Sequence, residues 1–402
     1  MTAVATSGTP LRIRSRTLGP LVVVFLAVGL STALSYPFLS LFLTSAVHAG
    51  PIQLSGFLLA QPLSGVVVST VLGRLSDGRV ARRRVLMVAA AGGCTSAALF
   101  SVLRSYWPLL ALACTVTAMG SALMPQGFGY ARAFLVDEPT APMITTTLRT
   151  FFSLSWVAGP PLASILLNAG GFTTLYACSS GLFAFVFIVV ARWIVEPPAM
   201  VKPSTDTAQT DVHLPISGAR RSLWFTLAGL VLLQSASGLN VQALPLLVRH
   251  NLHSGVGPAG VILGICAALE IPIMLGAGVL SKRVPLRRLV LTGPWFAMAY
   301  YAIAAAAQQV WQLGAAQVLN ACCIAVVQGL AISYVQELMP LYPGRASTLY
   351  SNTFACGAIL ASPLLGLGAK FGYRYCFISA IGLAAVGLVL LIVGRPGRRS
   401  AV

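Results

Sequence analysis

The chain has 402 residues, 57% of them hydrophobic and only 8% charged, with a net charge of +18. A soluble globular domain is about a quarter charged, so this deficit, together with repeated apolar runs near the ~20 residues that cross a bilayer, excludes a soluble fold. Nor is the charge a nucleic-acid footprint: of 26 Lys and Arg, all but Arg104, Arg249, Lys370 and Arg374 fall at ends or in loops that alternate onto one side, which is the positive-inside pattern.

Residues 1–17 read as a cytoplasmic tail, and the apolar run 18–46 is too long for a signal-peptide core, so it reads as an uncleaved first span. Further spans are predicted at 54–73, 85–103, 107–132, 143–168 and 172–195. Residues 196–221, with four prolines and several charges, form the only long polar stretch and read as a cytoplasmic linker. Six more spans follow at 222–248, 257–280, 289–307, 311–335, 347–369 and 373–394, then a cytoplasmic tail at 395–402. The expectation is an all-α membrane protein of twelve transmembrane helices in two six-helix halves, 18–195 and 222–394. Both termini are cytoplasmic, and the membrane is the plasma (cytoplasmic) membrane. Trp107, Trp193, Trp224 and Trp311 sit at span ends, where indoles anchor at the interface.

The halves repeat one another. Gly73 to Arg84 (GRLSDGRVARRR) and Ser281 to Arg288 (SKRVPLRR) are dense basic loops between apolar segments, with Arg82-Arg83 and Arg287-Arg288 matching at an offset of 205. AGPPLAS at 158–164 and LASPLLG at 360–366 match at an offset near 202. Two parallel repeats about a central linker describe the major facilitator architecture, whose sites lie near the midplane between the halves.

Chemistry-bearing residues are few. Glu270 is the only acidic residue well inside a span; a carboxylate there faces water, finds a partner or is neutral part of the time, and so suits proton coupling, against the plainer reading of a structural hydrogen bond ahead of Pro272. Arg149, Ser153, Trp156 and Pro160 share one helical face and suit a sugar: donors for its hydroxyls and a flat ring for its C–H face. The alternative is that Arg149 snorkels and Trp156 packs between helices. Tyr36, Gln126, Tyr130, Gln234, Asn240, Asn320 and Gln328 complete a neutral polar set expected to bind substrate, although each alone also fits a helix-to-helix hydrogen bond of about 0.6 kcal/mol. Gly73, Asp77, Arg82, Arg83, Gly159, Pro160, Arg287 and Arg288 are the expected gating residues. The eight cysteines show no metal spacing. No catalytic residue, metal or cofactor is expected.

Gly73-x-Leu75-Ser76-Asp77 followed by Arg82-Arg83-Arg84 resembles the loop between the second and third helices of major facilitator transporters, and Gly159-Pro160 resembles the antiporter motif of exporters in that superfamily. Pro37-x-Leu39-Ser40-Leu41-Phe42-Leu43, Met124-Pro125-Gln126, Leu148-Arg149 through Ser153-Leu154-Ser155-Trp156 to Gly159-Pro160-Pro161, Leu269-Glu270-Ile271-Pro272 and Gln336-Glu337-Leu338-Met339-Pro340 are similar to the bacterial sugar efflux transporter family. That resemblance implies export of sugars or small glycosides by alternating access with proton antiport. One departure is Ala243, two before Pro245, where such members can carry an acidic residue. A multidrug efflux antiporter of the same fold is the alternative. A membrane enzyme acting on lipid-linked sugars needs acidic or histidine clusters that the chain lacks. The expected partners are a sugar or small amphipathic substrate, protons and the lipid bilayer, with no nucleic acid, and the expected state is a monomer.

Overall fold

The computed structural model describes residues 11–77, 81–134, 141–195, 217–340 and 342–395. The side chains of Gly73, Asp77 and Arg149, and residues 196–216 of the expected linker, lie outside what is described. A backbone in hydrocarbon must satisfy its own N–H and C=O groups, which leaves helices as the economical solution for this composition. The chain accordingly forms α1 (Gly19–Ser45), α2 (Pro51–Leu72), α3 (Arg82–Val102), α4 (Tyr106–Ala131), a long stretch Thr150–Trp193, α7 (Arg221–Asn251), α8 (Gly257–Leu280), α9 (Leu286–Ala306), α10 (Val310–Leu338), α11 (Arg345–Phe371) and α12 (Arg374–Val393). The long stretch is two helices, α5 and α6, because Gly170 and Gly171 leave helical geometry and Gly171 takes φ +66°. The later half reverses in the same way at Gly372, φ +108°, a backbone region only glycine enters freely. The count among the described residues is therefore twelve.

The outer surface is apolar, as lipid requires: Ile188 of α6, Val279 of α8 and Val386 of α12 are all more than half exposed. Trp107, Trp193, Trp224 and Trp311 are exposed at helix ends.

The two groups of six helices repeat one another's contacts. The Arg83 guanidinium donates to the carbonyls of Val190 (3.3 Å) and Ala191 near the end of α6. Arg287 donates to Leu391 (3.4 Å) and Ile392 (3.1 Å) near the end of α12. The true register is thus Arg83 with Arg287, an offset of 204, and not the 205 that pairs Arg82 with Arg287; helices α3 and α9, starting at Arg82 and Leu286, keep the same spacing. Arg83, Arg287 and the Ser222 hydroxyl bound to the Gly394 carbonyl (2.6 Å) gather at one end of the bundle, called here the terminal face.

Contacts between the halves gather toward the other end. Gln242 of α7 accepts from the Ser40 N–H (3.2 Å) and donates to the Tyr36 carbonyl (2.8 Å), while the Ser40 hydroxyl donates to the Gln242 carbonyl (2.6 Å). The Ser164 hydroxyl of α5 donates to the Val256 carbonyl just before α8 (3.2 Å). Gly260 of α8 approaches so closely that a Cβ there would overlap the Pro160 carbonyl and the Ser164 hydroxyl.

Candidate binding cavity

Under the Ser40–Gln242 contact lies a cavity of about 570 Å³, within the size range of small-molecule sites. Tyr36, Leu39 and Gln242 line it beside that contact, and α2 and α11 contribute Gln61, Ser69, Asn352 and Ser362. Helices α3, α4 and α6 add a wall of Gly93, Ser96, Phe100, Thr117, Tyr176 and Phe183. No charged residue lines it among the described residues.

Six hydroxyls on its wall are committed to backbone carbonyls of their own helices. Thr32, Ser35, Thr70, Ser121 and Ser362 each donate, at 2.8 Å, to a carbonyl three or four residues back on their own helix. Thr117 donates to Leu112 (3.2 Å), and the Ser96 and Thr117 hydroxyls lie 2.6 Å apart. A hydroxyl has one proton and two lone pairs. With the protons spent on backbone carbonyls, the wall turns acceptor lone pairs inward. Tyr176 is buried, and its hydroxyl has no hydrogen-bond partner among the described residues.

The structure scatters the polar set expected from sequence. Tyr36 lines the cavity, and Trp156 packs edge-on against it with ring centroids 6.4 Å apart. Ser153 is half-buried on α5; its neighbour Ser155 instead ties α5 to the Leu26 carbonyl of α1 (3.0 Å). Asn240 and Asn320 belong to a buried network: Tyr300 donates to Asn240 (2.9 Å), Gln317 to Tyr300 (3.0 Å), and Asn320 to Gln317 (2.9 Å) and the Cys266 sulfur (3.2 Å). Tyr130 is buried with its hydroxyl on the Val195 carbonyl. Gln234 is buried against Gly357 of α11, its Nε2 without a hydrogen bond among the described residues. Gln126 and Gln328 are half-buried, and the Gln328 carbonyl accepts from Tyr350 (3.2 Å). Glu270 is half-buried on α8, one turn from Cys266 and away from the cavity wall.

Among the gating candidates, Arg82 donates to the Gly129 carbonyl (2.8 Å), Arg83 and Arg287 cap their helix ends as described, and Arg288 is exposed. Gly159 packs where a Cβ would overlap the Ala33 methyl of α1, and the Pro160 carbonyl faces Gly260 of α8. The Gly-Pro-Pro step therefore sits where α1, α5 and α8 meet.

Gln242 and Tyr176 escaped the sequence reading. Gln242 stands two residues after Asn240, about 200° around the helix, so a face drawn through Asn240 turns away from it. Tyr176 is one aromatic among many in apolar segments and carries no signal of its own.

The family model of the Major Facilitator Superfamily matches residues 21–350 and 237–402. Sugar efflux transporter B of Salmonella typhimurium is 33% identical over 364 residues, 90% of this chain and 91% of that protein. Sugar efflux transporter C of Escherichia coli is 31% identical over 390 residues, 96% and 98% of the two chains. The chain belongs to the sugar efflux family of the major facilitator superfamily. It is a multi-pass membrane transporter and not an enzyme. Among solved structures, a D-xylose–proton symporter superposes with a TM-score of 0.75 at 12% identity, covering 94% of this transporter and 96% of that chain, a likeness of fold alone.

Proposed function

We propose that the transporter exports sugars or small glycosides by alternating access, in exchange for protons. The observation that carries the substrate class is a cavity wall with no charge among the described residues and with six hydroxyl protons bound to the backbone. Such a wall offers acceptors to a ligand rich in hydroxyl donors and, among the described residues, holds no counter-charge for a cation or a carboxylate. Tyr36, Gln61, Gln242 and Asn352 supply the remaining polar groups, and Trp156 braces the Tyr36 ring. The names of the family relatives point the same way.

The contacts between halves support an alternating cycle, and the names of the family relatives support export. Positive-inside placement of the arginine loops makes the terminal face cytoplasmic, so the Ser40–Gln242 and Gly260–Pro160 contacts close the outer side and the conformation faces inward. Export needs these contacts to part and the terminal face to close in turn, with the Gly73–Asp77 segment, Gly159-Pro160, Arg82 and Arg288 as the gating elements and Arg83 and Arg287 holding the helices within each half. Glu270 is the proton carrier in this reading. Because it stands off the cavity wall, it acts on substrate through helix movement, not by touching the sugar. The transporter works as a monomer in the cytoplasmic membrane.

The test is counterflow in proteoliposomes of glucose, methyl β-glucoside, cellobiose and the cation tetraphenylphosphonium, with and without a pH gradient. Gradient-dependent accumulation of a sugar is the expected result. Accumulation of tetraphenylphosphonium alone overturns the sugar reading in favour of drug efflux.

A further inference from the structure

The cavity is lopsided. Helices α3, α4 and α6 of the first half line it deeply, whereas α8, α9 and α10 of the second half contribute nothing. The register fixed by Arg83 and Arg287 explains why. At the same offset, Ser96 and Ala97 of α3 correspond to Tyr300 and Tyr301 of α9. Both tyrosines are fully buried, and Tyr300 is held by Asn240 and Gln317. They fill the interior of the second half. In the first half a hydroxymethyl and a methyl stand in their place, and a crevice remains.

The crevice has a definite chemistry. Its walls are the rings of Phe100, Tyr176 and Phe183, with Val28 and Met124, and the Ser96–Thr117 hydroxyl pair. The hydroxyl protons of that pair are spent, so it offers acceptors only, while Tyr176 carries the hydroxyl that has no partner among the described residues. A flat group with an apolar face and few polar edges fits such walls; aromatic side chains gain most against ring faces.

We propose that this crevice is a second subsite, at the first-half side of the same cavity whose polar end lies beneath Gln242, that holds a second ring carried by a glycoside, and that the small side chains of Ser96 and Ala97 determine whether a substrate with such a ring is accepted. The ring is an aryl group or a second sugar; both present an apolar face. This rests on the sugar-export reading, and it names the residues that set substrate size within it.

The experiment measures binding by ligand-induced thermal shift in lipid nanodiscs, using methyl β-glucoside (no second ring), phenyl β-glucoside and cellobiose, for the native chain, Ala97→Tyr and the milder Ala97→Leu. The native chain should bind at least one of the two-ring ligands about ten-fold more tightly than methyl β-glucoside, and which one does so identifies the ring. In either variant that ratio should fall to about one. Equal affinity for all three ligands in the native chain overturns the proposal, and so does an unchanged ratio in a folded variant. Should neither variant fold, the smaller Ala97→Val takes their place and is read by the same ratio. If no ligand binds and no sugar undergoes counterflow, the sugar reading falls and the subsite falls with it; if methyl β-glucoside binds and a second ring adds nothing, the subsite alone falls.

Discussion

Gln242 holds Ser40 with both its side chain and its backbone, so one residue of α7 fixes the last turns of α1 across the boundary between halves. Replacing Gln242 by Ala removes the two side-chain bonds and leaves the Ser40 hydroxyl on the backbone carbonyl. At about 0.6 kcal/mol for each intramembrane bond, the closed arrangement loses about 1.2 kcal/mol, roughly an eight-fold shift toward opening. The expected outcome is that a cysteine placed at Leu39, on the cavity wall, is labelled several-fold faster by an impermeant maleimide applied from the side away from the termini. Equal labelling in Gln242→Ala and the parent would show that the contact does not hold the gate.

Gly260 makes the same boundary close at a second place. Its Cβ position is already occupied by the Pro160 carbonyl and the Ser164 hydroxyl, so Gly260→Val forces α8 away from α5. Overpacking of this kind costs about 1–3 kcal/mol. Counterflow should fall by about ten-fold or more while the Leu39 cysteine becomes more reactive, because the clash falls on the closed arrangement. A variant with slowed counterflow and unaltered labelling would point to misfolding instead of gate opening.

Glu270 is the one acidic residue well inside a span among the described residues, about 20 Å along α8 from Gly257 at 1.5 Å per residue. Glutamine keeps its shape and removes its titration. Glu270→Gln should abolish sugar accumulation driven by a pH gradient and leave gradient-free counterflow within about two-fold, since the cavity wall does not include this residue. Gradient-driven accumulation at the parental level would remove Glu270 from the coupling mechanism.

How far these features were legible in the sequence depends on what each rests on. The helices follow from hydropathy alone, because hydrocarbon leaves the backbone one economical solution, and the duplication shows in the paired arginine loops. The register between repeats slipped by one residue: Arg82-Arg83 and Arg287-Arg288 look alike as letters, and only their carbonyl partners show that Arg83 matches Arg287. The cavity wall was harder to read. Asn240 and Tyr36 are similar in polarity and spacing, yet one is tied up behind Tyr300 and the other faces open space, since polarity does not encode which side of a buried helix meets a neighbour. Ser96 and Ala97 carried no signal at all; their meaning comes from the tyrosines that replace them in the other half.

The paired arginines also separate stability from gating. Arg83 and Arg287 bind carbonyls of α6 and α12, within their own halves, where the last helical turn leaves carbonyls unpaired and the helix dipole favours a cation. In this conformation the bonds hold each half together and do not cross between halves. A hydrogen bond to a charged donor is worth about 1.5–3 kcal/mol, and the planar fork of arginine reaches two carbonyls where a lysine ammonium is a point charge. Arg287→Ala should therefore lower the melting temperature of the purified transporter by several degrees, with Arg287→Lys recovering part of the loss and Arg83→Ala behaving alike. The Leu39 cysteine should label at the parental rate in all three. A change in labelling without loss of thermal stability would mean that these arginines act on the gate between the halves, through contacts made in another conformation.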